Sequence, residues 1–455
     1  MRPDVPSPRR DLAHRSDSVP TNHSPAMQSP ASGACRAAER VELATLTDLA
    51  TRRWNRLHQL LPEVAERWTP ETVGEFWRGM GFGNEPVLAP VSSRLGNRPV
   101  RHRAMARQLA ASMMDARQRR QSVATVVKSA ADPWVTHAAS TFDVPLVRIN
   151  PDDTSLERLL PPNDRMRLCM ERDEWIVALA DRMDVLHLRR GGKIERAVLK
   201  RLEVDPFGVR VAMEDAKAAK RLLAAGALGR FLPRSTEDLE REREQAGKRE
   251  SGLEANSLNW NDEEWLVHCT RRCDGPWPGQ SWSQYRDEML LGSDEAASRE
   301  PLDTLRRIVR MRRLISGATT SKQTHRVVCF SAVPLPELLR RRTFRSHVSR
   351  WDYEPYGIAI RRRAAIDCGL KPVVYGRAFE RDAMAEEDRF LFQSAGRDGE
   401  WQSEKEWRGL GDLDLASVDP ADVRVFVRSE REAAKIAAVN GCDWQVIFVS
   451  GMLRQ

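Results

Sequence analysis

The sequence predicts an α/β unit with a parallel sheet, followed by an α+β unit built from short strands. Three observations carry this prediction. Between residues 86 and 213, short apolar runs alternate with helix-length amphipathic segments, the pattern of a doubly wound sheet. The run STEDLEREREQAGKRESGLEANS at 235–257 is highly charged and has too few apolar positions for a core face, so it reads as a boundary. Beyond it the strand-like runs are short. At 455 residues the chain is also too long for one core. The expected division is a disordered tail at 1–40, the parallel-sheet unit at 41–234, a linker at 235–257 and the second unit at 258–455.

Composition narrows the class. With 41% hydrophobic and 30% charged residues, both units can bury cores. No apolar run is as long as a membrane span, so a soluble, cytoplasmic protein without membrane contact is expected. Seven cysteines, an odd number scattered along the chain, do not form a secreted disulfide framework. The net charge of +8, from 73 basic and 65 acidic residues, is carried mostly by arginine. It permits contact with phosphates without requiring it.

Residues 1–40 are rich in Pro, Ser, Arg and Ala and lack an apolar leader segment. Disorder is expected there, with a translation start at Met27 as the alternative. Leu43, Leu46, Leu49, Trp54, Leu57, Leu60 and Leu61 fall at helical spacing, and Thr69 precedes Pro70 as an N-cap precedes a first helical residue. Strands are then expected at 86–91, 123–127, 145–149, 185–188 and 209–213. Helices are expected at 100–119, through His137, at 171–180 and at 193–202. In the second unit, strands are expected at 265–267, 327–330, 356–360, 372–375, 404–408, 423–427 and 444–449. Helices at 302–314 and 430–439 complete it.

Ligands of doubly wound sheets lie at the carboxyl ends of the strands. Two loops stand there. Ser92, Ser93 and Arg94 follow the first strand. Arg189-Arg190-Gly191-Gly192 lies between a strand and a helix, where free backbone N–H groups attract anions, with Lys193 beside it. Neither loop is a P-loop or a full G-x-G-x-x-G, and ordinary tight turns with solvated arginines are the alternative. With Ser93-Arg94 and the later ERDEWIVALADRMDVLHLRRGGKIERAVLKRL, this order of pieces resembles the Rossmannoid nucleotide-binding superfamily of DNA-processing proteins and lysine-decarboxylase-like phosphoribohydrolases. Ala180-Asp181 and Gly191-Gly192 fall where that superfamily ends one helix and opens a phosphate loop. The resemblance spans roughly 85–215. It implies a nucleotide or nucleotide-like ligand at Ser93, Arg94, Gly191 and Gly192. The P-G-G-x-G-T signature of the phosphoribohydrolases is missing, so their hydrolysis is not implied.

In the second unit an apolar run, Trp265-Leu266-Val267, delivers His268 and Thr270 to a loop. Glu404, Glu406 and Arg408 alternate as on one face of a strand. A histidine can hydrogen-bond a ribose hydroxyl, Tyr356 can stack on a flat heterocycle, and a carboxylate can stabilise an oxocarbenium-like sugar. These are the parts of a glycosyl-transfer site. Two glutamates at i and i+2 also raise one pKa. The pieces HCT (268–270), LRRIVRMRRLISG (305–317), EPYGIAI (354–360) and EKEWR (404–408) resemble the ADP-ribosyltransferase fold. That resemblance implies NAD as substrate, with His268 on the nicotinamide ribose, Thr270 in the cofactor site, Tyr356 on nicotinamide, and Glu404 or Glu406 as the catalytic carboxylate. Tyr353, Tyr356 and Ser331 all remain open for the middle position. VVCFSA, EPYGIAI, PVVYG and EKEWRG are also similar to an uncharacterised bacterial family associated with abortive-infection and phage-defence loci, over about 260–450. This second resemblance implies a defence context.

His268, Cys269 and Cys273 have no second pair at zinc-site spacing, so no metal is expected. Arg340, Arg341, Arg342, Arg345, Arg350, Arg361, Arg362 and Arg363, with Phe344 and Trp351 between them, form a candidate nucleic-acid contact. A solvated face is the alternative. The resulting expectation is a bacterial protein coupling a nucleotide-binding unit to an ADP-ribosyltransferase or other NAD-consuming unit. Its rival is a non-catalytic nucleic-acid- or protein-binding component of a defence or toxin–antitoxin system.

Overall fold

The computed structural model describes residues 48–65, 68–81, 85–150, 172–206, 208–213, 216–232, 264–317, 325–346, 350–395 and 400–453. The expected tail at 1–40, the alternative start at Met27 and the charged run at 235–257 lie outside the described residues.

Six strands form one all-parallel sheet: β1 (Val87–Ser92), β2 (Ser122–Val126), β3 (Leu146–Ile149), β4 (Arg182–His187), β5 (Val209–Ala212) and β6 (Leu228–Arg230). Their order across the sheet is β3-β2-β1-β4-β5-β6. Every position of β1 and β2 is buried, as a strand covered on both faces requires. Alternate residues divide between the faces. Val87, Ala89, Val91, Met183, Val185, Val209 and Val211 share a core with helices α1 (48–60), α2 (Pro70–Gly79), α5 (Arg172–Leu179), α6 (Lys193–Val204) and α7 (Ala216–Ala224). Leu88, Val123 and Leu186 share the opposite core with α3 (Pro99–Gln118) and α4 (Asp132–Phe142).

Local signals place several of these elements. Thr69 caps α2 as expected: its hydroxyl accepts from Thr72 N, and Pro70 opens the helix. Strand β4 starts three residues before the apolar run that announced it. Its polar opening is paid for by partners, since buried Asp184 accepts from Ser112 Oγ at 2.6 Å and from Arg210 and Arg230. Asp181 stands just before β4, at the end of the sheet away from the ligand loops. It accepts from Arg53 Nε at 3.0 Å, from Arg56 at 2.9 Å and from Val87 N, tying α1 to the sheet. Strand β6, three residues long, was too short to be expected.

The second sheet has seven strands in the order β10-β11-β8-β7-β9-β12-β13. They are β7 (Trp265–Cys269), β8 (Val327–Ser331), β9 (Gly357–Arg361), β10 (Lys371–Pro372), β11 (Glu406–Leu410), β12 (Val423–Val427) and β13 (Gln445–Phe448). All neighbours are antiparallel except β12 and β13. Five registered pairs join β7 to β9 and five join β8 to β11, but Val267↔Ser331 alone joins β7 to β8. The sheet therefore has a seam between β7 and β8.

Several expectations change here. The helix at 302–314 is α10, Pro301–Met311; Arg312 turns left-handed, and Arg313–Leu314 pairs with Leu413–Asp414 instead. The expected strand 372–375 divides: Pro372 pairs with β11, whereas Val374–Gly376 pairs in parallel with Phe392–Ser394. The expected strand 404–408 also breaks. Glu404 closes a 3-10 turn, Glu400–Glu404, and Lys405 has φ +45°, so β11 begins at Glu406.

Between β7 and α10, the chain returns to the first unit. Helices α8 (Trp282–Leu291) and α9 (Asp294–Ala297) bury Tyr285, Met289, Leu290 and Ala297 among Leu88, Leu109 and Trp134. His102 Nδ1 lies 2.8 Å from the Tyr285 hydroxyl and its Nε2 lies 2.8 Å from Gly96 O. Arg103 donates to Asp294 at 2.7 Å and to Met289 O at 2.6 Å. Residues beyond the charged run thus complete the core of the parallel-sheet unit.

Candidate functional site

Strands β1 and β4 are neighbours whose following helices, α3 and α6, pack on opposite faces. The loops after them flank the crevice where such sheets hold ligands. Those loops are stitched to each other. Ser93 N donates to His187 O at 2.8 Å, and Arg189 N donates to Ser93 Oγ at 3.1 Å. The two glycines make a tight turn. Gly191 has φ +69°, Gly192 N donates to Arg189 O at 2.9 Å, and a Cβ on Gly192 would meet that oxygen at 2.9 Å. Gly191 N donates to Glu195 Oε2 at 2.6 Å. Glu195, buried in the first turn of α6, is also ion-paired with Arg221.

The chain's own groups therefore take up the N–H groups of Gly191 and Gly192, where a phosphate was expected. The Gly191 N–H already holds a carboxylate of the chain, and an anion beside it would meet like charge. The hydroxyl of Ser93 is likewise spent on the backbone. What remains at the crevice is Arg94, Arg189 and Arg190. All three are exposed, and their guanidinium groups make no hydrogen bond or ion pair among the described residues.

The second cluster gathers at one end of the other sheet. Cys269 pairs with Gly357, so the loop after β7 and the segment before β9 leave the sheet together. Glu404 is part-buried, and the Tyr353 hydroxyl hydrogen-bonds its carboxylate. Burial and then Glu406 raise the Glu404 pKa, while Tyr353 and Arg271 act against that rise. Its main chain is pinned, since Ser331 Oγ donates to Glu404 O at 2.6 Å. Glu406 is differently placed: fully buried Arg408 grips it through two bonds, at 3.1 and 2.9 Å, and its N donates to the Tyr375 hydroxyl. Arg408 also donates to Phe390 O and Phe392 O. Glu406 is structural by this geometry, and Glu404 is the carboxylate with no cation bonded to it among the described residues.

The expected site residues do not all converge. By strand alternation His268, Thr270 and Tyr356 point to the face carrying Ile358 and Phe330, whereas Ser331 and Glu406 point to the other. His268 spans the seam. Its Nδ1 lies 2.8 Å from Cys329 O, so Nδ1 carries the proton and Nε2 presents a lone pair. Burial lowers its pKa and keeps it neutral. Thr270 is buried, with its hydroxyl 3.1 Å from Tyr356 O and 3.2 Å from Pro301 O. It ties strands together and is not presented to a ligand. Tyr356 packs against the core and donates to Glu432 Oε1 at 2.9 Å, so it is not a free stacking platform. Of the three alternatives for the middle position, Tyr353 and Ser331 touch Glu404 and Tyr356 does not. Neighbouring Cys269 is pushed up to about 12 by burial, which leaves an unreactive thiol.

The arginine run is largely neutralised within the fold. Arg341 pairs with Glu337, Arg342 with Glu354, Arg345 with Asp352, and Arg361 and Arg363 with Asp422. Arg342 also lies over Trp351, at 4.4 Å, and Arg362 over Trp407. These pairings weaken the expected nucleic-acid face, because paired guanidinium groups displace few counterions from a phosphate backbone. Among the described residues no group of three or more His, Cys, Asp or Glu is arranged to hold a metal ion, and no helix is long and apolar enough to cross a membrane.

No protein-family model, curated protein or solved structure matches this chain.

Proposed function

We propose that the second unit breaks the glycosidic bond of a nucleotide of the NAD type and transfers the ADP-ribosyl group, with Glu404 as the catalytic carboxylate. One observation carries the reading. Glu404 is a part-buried carboxylate with a raised pKa, held by a tyrosine and a backbone anchor, and among the described residues no cation is bonded to it. Such a group stabilises positive charge that develops on a sugar far better than a solvated one does.

In the proposed step the bond between the ribose C1 and the nicotinamide nitrogen breaks, and nicotinamide leaves neutral with the electron pair. The cationic sugar is held by Glu404. An acceptor oxygen, of water or of a target, supplies a lone pair to C1 and loses its proton to Glu404 or to solvent. The parallel-sheet unit would hold a nucleotide-like signal at the carboxyl ends of β1 and β4. Its strand order, that of Rossmannoid dinucleotide-binding sheets, supports this, as do Arg94, Arg189 and Arg190, unpaired among the described residues. A bacterial defence role remains the context in which such coupling makes sense.

Incubation of the full chain with NAD, alone and with nucleic acid or cell lysate, tests the reading by mass spectrometry. Nicotinamide should appear in proportion to protein. Its absence under every condition, with the chain folded, would retire the transferase.

A further inference from the structure

Between β8 and β9 the chain forms a two-stranded hairpin in which Phe344 pairs with Trp351 and Arg345 with Arg350. Side chains alternate across such a ribbon, so its two faces differ in kind. One face is aromatic. The rings of Phe344 and Trp351 meet edge to face, with centroids 5.5 Å apart and planes at 66°. Phe344 is nonetheless 50% exposed and Trp351 38%, although Arg342 lies over the indole at 4.4 Å. The other face is basic. Arg345 and Arg350 stand directly opposite each other, an arrangement of like charges that destabilises a ribbon. Asp352 takes Arg345 at 2.8 Å, and Arg350 makes no hydrogen bond or ion pair among the described residues.

The foot of the hairpin is fixed to the segment that carries Glu404. Arg341 Nη1 donates to Ser403 O at 3.0 Å, one residue before that carboxylate. Arg342 Nε donates to Tyr353 O at 2.7 Å, and Asp352 N donates to Thr343 O at 3.1 Å.

We propose that this hairpin is a stacking platform for single-stranded nucleic acid, with an unpaired base on Phe344 and Trp351 and a neighbouring phosphate on Arg350. That the strand lies beside a reacting carboxylate rests on the transferase reading; the platform itself does not. Two properties of the hairpin select this partner. The described residues of 337–354 carry five arginines against Glu337, Asp352 and Glu354, a net charge of +2, so the partner is anionic. Exposed rings call for a flat partner with an open face, which an unpaired base offers and a duplex or an acidic peptide backbone does not. Three of the five arginines are already paired, with Glu337, Glu354 and Asp352. Stacking therefore carries more of the affinity than charge does.

Fluorescence anisotropy of the full chain with a labelled single strand of about 20 nucleotides, as DNA and as RNA, and with the matching DNA duplex tests the platform. The single strand should bind, and the duplex should bind about tenfold more weakly. Phe344→Ala and Trp351→Ala should each weaken single-strand binding about tenfold, the loss of one stacked base. Phe379→Ala, at a ring exposed elsewhere in the unit, should bind as wild type does. Arg350→Gln should reduce the slope of log affinity against log salt by about 1. Should Trp351→Ala fail to fold, Phe344→Ala carries the test. No single-strand binding, wild-type affinity in Phe344→Ala and in any folded Trp351→Ala, or a duplex bound as tightly as the single strand would overturn the platform. Strand binding that needs both rings, without nicotinamide release from NAD, would keep the platform and retire the transferase. Nicotinamide release that needs Glu404, with no strand bound, would do the reverse.

Discussion

The loops at the carboxyl ends of β1 and β4 and the cluster around Glu404 are built from the same residue types with opposite outcomes. In the first, Ser93 accepts from Arg189 N and Glu195 accepts from Gly191 N, so what looked like a phosphate cradle is a turn closed by the chain's own groups. In the second, Glu406 and its neighbouring acids are paired, while Glu404 has no cation bonded to it among the described residues. A site is marked less by which residues gather than by which of them remain unspent after folding.

Substitutions can sharpen that contrast. The largest expected effect is at Arg408. Replacing it with Met leaves part-buried Glu406 without its cation and should destabilise the second unit by about 3 kcal/mol, read as a fall in its denaturant midpoint. Glu195→Ala should cost about 1–2 kcal/mol through the lost bond to Gly191 N and the lost ion pair with Arg221, and should free the Gly191 N–H. Phosphate should then raise the melting temperature of the variant more than that of wild type. An equal response would mean that Glu195 does not block the seat. Tyr356→Phe removes the bond to Glu432 and should cost about 1 kcal/mol while leaving turnover unchanged. Reduced turnover at full stability would return Tyr356 to the reaction.

The smallest expected effect is a shift in the pH profile with Tyr353→Phe. Turnover needs ionised Glu404, so activity should fall as pH drops through a pKa already raised above the usual value of 4.5. The Tyr353 bond favours the ionised form. Its loss should raise that pKa further and move the acid limb to higher pH. A limb that stayed in place would place the critical ionisation elsewhere.

The sequence made the alternation of strands and helices legible because buried parallel strands are spelled in continuous apolar residues. It hid the start of β4, where Arg182 and Asp184 are polar yet paired. The alternation of Glu404, Lys405 and Glu406 looked like a strand; a left-handed lysine breaks it, and nothing in the spelling EKEWR announces that turn. Tyr353 and Tyr356 could not be told apart, because their partners Glu404 and Glu432 are distant in sequence. Glu195 stands third in its helix after Gly192, but its carboxylate reaches past that residue to Gly191 N, a bond that the spelling does not announce. The return of α8 to the first unit left no local trace beyond the apolar positions Tyr285, Met289 and Leu290.

The most direct test of the central claim compares Glu404→Gln with Glu406→Gln in nicotinamide release from NAD, with melting temperature recorded for both. Glu404→Gln should lose turnover by about 100-fold or more, the scale of a lost electrostatic stabiliser, with its melting temperature unchanged. Glu406→Gln should lose stability first, by weakening its bonds to Arg408. Full turnover in Glu404→Gln, or lost turnover at unchanged stability in Glu406→Gln, would contradict the assignment of Glu404 as the working carboxylate.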